Sequence, residues 1–205
     1  MGLFTVNHPV IEDVLAVLRA TSTRPEEFRR LTRKLSVLLS FEASRDLPVE
    51  EVEIQTPLEN TRGSRLAAEV VLVPVLRAGM GMLDPLLEIF PDASVGYVGL
   101  ERDEQTAVAH RYYLKLPDLP NRYVFLLDPM LATGGSALAA VEALQEAGAR
   151  CIRLLCIVAA PEGIQLLEDK CPDLDIYTTA VDRELDERSF IMPGLGDFGD
   201  RLFGT

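Results

Sequence analysis

The chain has 205 residues, 48% hydrophobic and 25% charged, enough for one well-cored domain, and a formal net charge of −12 at pH 7. So acidic a balance argues against broad nucleic-acid binding, which needs clustered Lys and Arg, but it leaves room for a small anion in a locally basic pocket. No apolar run approaches a membrane span, the start MGLFTVNHPVIED has neither a basic nor a long apolar leader segment, and Val6 breaks a myristoylation pattern, so a cytoplasmic protein without a membrane partner is expected.

Pro9 suits a first helical position, and Val10, Val14, Val17 and Leu18 recur on one face, predicting an amphipathic helix over 8–20. A second helix starts near Thr23 and Pro25, with Phe28, Leu31, Leu35 and Leu38 at helical spacing and Arg29, Arg30, Arg33 and Lys34 between them as a solvated face. Val49 to Thr56 alternates as a strand would, whereas Glu59 to Arg65, polar and containing Gly63, reads as a loop. Val70 to Leu76 is a continuous apolar run, hence a central strand, which Pro74 is expected to end or bulge because it cannot donate to a ladder.

Arg77-Ala78-Gly79 follows at once and puts a cation at the carboxyl end of that strand, the edge where open α/β sheets bind ligands; a surface pairing with a carboxylate accounts for it equally well. Met80 to Phe90 reads as a helix stopped by Pro91, and Val95 to Leu100 as a strand. In ERDEQTAVAHRYYLKLP, residues 101–117, the first half is expected to be a mobile loop, while the alternation of Tyr112, Leu114 and Leu116 predicts a returning strand, closed by a turn over Asp118 to Asn121.

The stretch YVFLLDPMLATGGSALAAVEAL, residues 123–144, reads as strand, tight turn and helix. Asp128 places a carboxylate where the strand ends, and Gly134-Gly135 let the backbone turn sharply before the helix. The first amides of a helix lack internal partners and its dipole favours an anion there, so the segment has the chemistry of a phosphate cradle; a plain connection with Ser136 as N-cap is the alternative. Neither the dinucleotide fingerprint nor a P-loop lysine is present.

Beyond it come a strand over Cys151 to Ala159, a helix over Pro161 to Lys170 and a last strand over Ile176 to Val181. Cys151 and Cys156, inside that apolar run, are expected to be buried thiols; three cysteines without CxxC spacing and two histidines give no zinc pattern. Strands alternating with helices after an all-helical start predict a mostly parallel, doubly wound sheet. The tail FIMPGLGDFGDRLFGT is too glycine-rich for a helix or regular strand but too apolar for a solvated end. Ordered, it offers backbone groups to read a flat heterocycle, with Ile191 or Phe198 against its face.

Together FEASRDL, VPVLRAGMGM, VGLERDEQT, FLLDPMLATGGSA, VAAPEGI and IMPGLGDFGDRLFGT make the chain resemble the uracil phosphoribosyltransferase family over nearly its whole length. Like that family, it has Asp128-Pro129 where other type I phosphoribosyltransferases usually carry two acidic residues. The resemblance implies one domain over 1–205 of that α/β kind: N-terminal helices (1–46), a β-hairpin arm or hood, and a C-terminal uracil-binding segment (182–205).

It further implies transfer of phosphoribose from 5-phosphoribosyl 1-pyrophosphate to uracil, giving UMP and pyrophosphate, with Mg²⁺ accompanying the pyrophosphate. By matching motif, Arg77, Arg102, Asp128 and Asp197 act in the reaction. The residues Asp128, Pro129, Met130, Leu131, Ala132, Thr133, Gly134, Gly135 and Ser136 hold the sugar-phosphate with Arg77, Arg102 and Asp197, and Ile191, Gly196, Asp197 and Phe198 read uracil. A homodimer or tetramer of dimers and a GTP effector are also implied, with no GTP site legible. The chain departs from the family pattern at Glu101 (commonly Tyr), at Phe198 (often Ala in bacterial members) and at Ser189-Phe190 (often Gly-Tyr).

Overall fold

The computed structural model describes residues 2–102 and 109–205, with the side chains of 101, 102 and 109–111 outside that description. In chain order β1 (Leu3–Thr5) leads to α1 (Pro9–Arg19), α2 (Pro25–Ala43), β2 (Val49–Gln55), β3 (Asn60–Leu66), β4 (Val70–Leu76) and α3 (Met80–Ile89). Then follow β5 (Ser94–Val95), β6 (Tyr97–Arg102), β7 (Ala109–Lys115), β8 (Tyr123–Leu127), β9 (Met130–Leu131) and α4 (Gly135–Glu146). The rest is β10 (Cys151–Ala159), α5 (Pro161–Lys170), β11 (Asp175–Val181), β12 (Glu184–Leu185), β13 (Ile191–Met192) and α6 (Phe198–Phe203).

The main sheet runs β1-β11-β10-β8-β4-β6-β7, with β5 beside β4 and β9 beside β10. Its registered pairs are parallel except β6–β7. Side chains of α1, α2, α3 and α6 form one apolar cluster with the sheet, and those of α4 and α5 a second. The sheet is therefore covered on both faces, which explains why β4, β8 and, beyond Arg153, β10 read as continuous apolar runs rather than alternating ones. A mostly parallel, doubly wound fold is borne out.

Pro74 neither ends nor bulges β4; it stays in register with Leu127 of β8. The Leu72 carbonyl accepts from Gly96 N at 2.9 Å, so Pro74, two residues on, faces that same side. Registered pairing there stops at Leu72 and resumes at Val75, and the donor that proline lacks falls in the gap.

Several expectations are corrected. The buried stripe of α1 is Ile11, Val14, Leu15 and Leu18, whereas Val10 and Val17 are 51% and 43% exposed; α2 and the sheet select the neighbouring stripe of one helix. The start is not all-helical, since β1 adds to the sheet edge beside β11. Residues 60–66 form β3, paired antiparallel with all of β2 in a separate two-stranded sheet. That arm exposes both faces, so β3 carries no apolar alternation to reveal it. The tail contains both a short strand, β13, and a helix, α6. The residues 103–108 of the expected mobile loop lie outside the described ones, and β7 supplies the returning strand.

Buried Arg153 on β10 forks onto Asp46 at 2.7 and 2.8 Å, donates to the Ala43 carbonyl and stacks over Tyr123. It thereby ties the end of α2 to the sheet, and its hydrogen bonds hold the Asp46 carboxyl below the usual carboxylate range.

Cys151, at the start of β10, is exposed rather than buried, while Cys156 and Cys171 are buried. Burial pushes the Cys156 thiol up to about 12 and raises Cys171 as well. Since the thiolate is the reactive form, a thiol reagent at about pH 8 is expected to titrate one cysteine rapidly in native protein and the other two only on unfolding. Two fast thiols would contradict this arrangement.

Candidate active site

β4 and β8 lie side by side and end together, so Arg77 and Asp128 emerge at one edge. From β4 the chain continues to β6 on one side, and from β8 to β10 on the other, which makes this edge the switch point of the sheet. The approach is close: a Cβ at Gly79 would run into the Leu127 carbonyl oxygen. The Leu76–Arg77 peptide is cis. The Arg77 side chain is largely exposed, 4.0 Å from the Asp200 carboxylate, with its guanidinium 5.9 Å from the Phe203 ring centre. It thus both lines the cleft and faces a carboxylate, so the two sequence readings of Arg77 coexist.

The loop after β8 is shaped from behind. The Pro129 carbonyl accepts from Ile157 N (2.9 Å) and Val158 N (3.1 Å), and the Leu131 carbonyl from Ala160 N (2.8 Å). Gly134 is left-handed (φ 82°) and caps α4 with no side-chain hydrogen bond. Ser136 is therefore not the N-cap; it lies inside the first turn. α5 presses against this loop through Gly163, where a Cβ would meet the Ala132 carbonyl oxygen. The outcome is a helix N-terminus, with its dipole and orphan amides, opening onto the cleft beside Asp128.

The tail is fastened to the opposite end of the chain. Arg19 on α1 forks onto Asp182 at 2.6 and 2.8 Å and donates to the Gly194 carbonyl at 2.8 Å; Asp182 in turn accepts from Gly194 N at 2.8 Å. Arg201 donates to the carbonyls of Leu195 and Ala20 and sits over the Phe28 ring at 4.5 Å. Arg29, expected on a solvated face, donates instead to the Leu202 carbonyl, while Arg30 and Arg33 pair with Glu27 and Glu88. Asp197 caps α6 by accepting from Asp200 N at 2.9 Å. The Phe198 ring is buried edge-on against Phe28, with centroids 5.0 Å apart, so it packs in the core rather than presenting a face to a ligand.

These parts enclose a cleft of about 400 Å³. It brings together Arg77, Asp128, Met130, Leu131, Ala132, Thr133, Gly134 and Ser136 from one half of the expected site, and Ile191, Gly196, Asp197 and Phe198 from the other. Pro129 and Gly135 stand behind the lining, and Arg102 ends β6 with its side chain outside the described residues. Sequence reasoning missed Arg188 and did not place Phe190. Both sit on a turn where Asp186 Oδ1 accepts from their amides at 2.9 and 2.8 Å, with the Arg188 guanidinium 5.8 Å from the Phe190 ring. The only sequence signal for them was an Arg just before the apolar tail.

The lining carries two carboxylates, Asp128 and Asp197, and among the described residues no group of three or more His, Cys, Asp or Glu could cage a metal. That donor set fits a Mg²⁺ held mainly by substrate oxygens.

The uracil phosphoribosyltransferase family model matches residues 5–205. The chain belongs to this family. The uracil phosphoribosyltransferase of Streptococcus agalactiae serotype III is 50% identical over 208 residues, covering 100% of both chains. That of Symbiobacterium thermophilum is 49% identical over 202 residues, 98% of this chain and 97% of the other. Among solved structures, the AQ2163 protein from Aquifex aeolicus superposes with a TM-score of 0.94 at 37% identity over 99% of this chain and 98% of that one. A phosphoribosyltransferase from Corynebacterium diphtheriae, 18% identical with a TM-score of 0.53 over 83% and 94% of the two chains, shares the fold. The fold expected from the family resemblance is thereby borne out.

Asp182→Asn leaves a largely buried Arg19 without its counter-charge, so it is expected to cost roughly 3 kcal/mol, the scale of breaking a buried ion pair. It should also raise the KM for the base more than that for the sugar-phosphate. Urea unfolding and initial rates check both; an unchanged midpoint would show that Arg19 does not hold the tail.

Proposed function

We propose that this chain transfers the phosphoribosyl group of 5-phosphoribosyl 1-pyrophosphate to uracil, giving UMP and pyrophosphate in pyrimidine salvage. The observation that carries this is one cleft with a helix N-terminus beside Asp128 on one wall and the PGLGDFGD tail on the other. A two-substrate site needs both.

In this mechanism the amides of residues 132–136 hold the 5-phosphate and fix the sugar's orientation, which lowers the entropic part of the barrier. Asp128 accepts hydrogen bonds from the ribose hydroxyls. Uracil lies against Ile191 and is read by the backbone of Gly196, Asp197 and Phe198. As the C1′–O bond breaks, positive charge grows on the ribose and negative charge on the leaving group. Arg77 and Arg102 stabilise the latter, and Asp197 lies toward the sugar. The C1′–N1 bond forms as the C1′–O bond to pyrophosphate breaks and uracil gives up its N1 proton to the departing pyrophosphate. Mg²⁺, when bound, neutralises pyrophosphate oxygens, and Asp128 and Asp197 are the carboxylates that would hold it with those oxygens.

We assign residues 1–205 to one domain, with 1–46 as its N-terminal helices and 182–205 as the uracil-binding segment. In support, α1, α2 and the tail share one apolar cluster with the sheet. No helix among the described residues is long and apolar enough to cross a membrane, and we place the protein in the cytoplasm. A homodimer or tetramer of dimers, responsive to GTP, completes the assignment. The β2–β3 arm supports assembly, since it stands apart from the main sheet with Val49, Ile54, Leu58 and Leu66 exposed.

The decisive assay follows UMP formation from uracil, with cytosine, hypoxanthine and orotate in parallel and GTP present or absent. No UMP from uracil would end this assignment. Arg77→Ala is expected to lower turnover roughly 10²-fold, the scale of losing one charge-stabilising donor, and wild-type kinetics would remove Arg77 from the reaction. For Asp197 the two roles separate. Asp197→Ala should cost about 1 kcal/mol of stability through the lost cap, whereas Asn also caps well. Asp197→Asn should therefore keep the wild-type Tm yet impair uracil use; a fully active Asn variant would confine Asp197 to capping.

A further inference from the structure

The strands β12 and β13 form a hairpin that is a sheet of its own, apart from the main one. It hangs Arg188, Ser189, Phe190 and Ile191 over the cleft. At its base it is held by Asp182, which accepts from Arg19 and from Gly194 N. Further along, Leu185 N on β12 donates to Glu162 Oε1 at 3.0 Å. Glu162 belongs to the first turn of α5, so this helix braces the hairpin from outside.

The next residue of the same turn meets the other wall of the cleft. Gly163 is packed so tightly on the Ala132 carbonyl oxygen that it has no room for a Cβ, and a Cβ at Gly134 would stand 3.0 Å from the Gly163 carbonyl oxygen. Ala160 N, just before α5, donates to the Leu131 carbonyl at 2.8 Å. The start of α5 and the loop that opens α4 thus touch backbone to backbone, with no pliable side chain between them to absorb a shift. Glu162 and Gly163 are neighbours in one helical turn, so whatever displaces one displaces the other.

Glu162 is exposed and does not line the cleft, so it serves neither the core nor a ligand directly. The dipole of α5 favours a carboxylate in its first turn, which accounts for the charge but not for the reach to Leu185. We propose that Glu162 is a positioning residue that couples the two halves of the site. An anion settling on the amides of 132–136 fixes the start of α5 through Gly163, and Glu162 passes that setting to the hairpin and its side of the cleft. Filling the cradle therefore strengthens binding of the base, and by linkage the base strengthens binding of the sugar-phosphate by the same factor. This rests on the phosphoribosyl-transfer reaction proposed for the same site.

Isothermal titration calorimetry with ribose 5-phosphate and uracil, each with and without the other, reads this coupling. In the wild-type protein each is expected to tighten the other about 10-fold, a usual size for coupling between sites. In Glu162→Ala that factor should fall toward one, with the affinity for ribose 5-phosphate alone and the Tm unchanged. Glu162→Gln keeps an amide oxygen that can accept from Leu185 N, so it should retain the coupling. Full coupling in the Ala variant overturns the proposal, as does its absence from the wild-type protein. So does a loss of coupling in the Ala variant that comes with weaker ribose 5-phosphate binding by itself and a lowered Tm, because a general loosening of α5 then explains the effect. Failure of the wild-type protein to make UMP would instead strike the reaction, and the titrations would still read Glu162.

Discussion

The site depends on the Arg19–Asp182–Gly194 linkage. Asp182, at the end of β11, is buried, and a buried carboxylate is costly unless a cation and further donors compensate it. Arg19 supplies the cation, 163 residues away in sequence, and Gly194 N supplies a further donor. Gly194 is left-handed (φ 60°), and a Cβ there would collide with the Ile191 carbonyl, so the turn tolerates no side chain. One charge pair and one glycine thus fix where the tail leaves the sheet. The aromatic contact of Phe28 with Phe198, the hydrogen bond of Arg29 to the Leu202 carbonyl and the Arg201 guanidinium over Phe28 then seat α6 on α2, while Arg201 also donates to Ala20 at the end of α1. The N-terminal helices lie far from the tail in sequence, yet they form the floor that holds its wall of the cleft.

An acidic protein can still accommodate a polyanionic substrate because the cleft relies on more than side-chain cations. The orphan amides of α4 and its dipole supply positive potential from the backbone, where the −12 of the whole chain is screened over a Debye length. Arg77 and Arg188 are the lining's cations among the described residues, against Asp128 and Asp197. This near balance suits a substrate that sheds a polyanion while its ribose turns cationic. A wholly basic cleft would retain the leaving group and destabilise the ring charge.

The sheet's interior was legible because burial on both faces leaves continuous apolar runs at β4, β8 and the part of β10 after Arg153, and Pro161 to Lys170 matched α5 residue for residue. The turn from β8 into α4 was legible because adjacent glycines after a buried strand mark a sharp change of direction before a helix. Features decided by contacts far along the chain were hidden. α1 offers two apolar stripes one residue apart, and only its partners choose between them. α6 is too short and glycine-rich to announce itself, and it forms through the Asp197 cap and its seat on α2. β3 buries neither face. Arg188 reaches the cleft through an Asp-anchored turn, which has no periodic signature.

The same division explains why the chain's departures from its family are compatible with the site. Phe198 lies within the glycine-rich loop of the tail, where the sequence reading sets its ring against the face of a flat heterocycle. Its ring instead turns inward against Phe28, and the residue still lines the cleft. Ser189 adopts a left-handed backbone (φ 65°), the conformation a glycine would take there most easily, so loss of glycine has left the turn intact. Phe190 keeps an aromatic ring beside Arg188, although the hydroxyl of a tyrosine is gone. At 189 the left-handed backbone holds the turn, and at 198 the ring packs in the core while the residue still lines the cleft, so both departures fit the path the chain takes here.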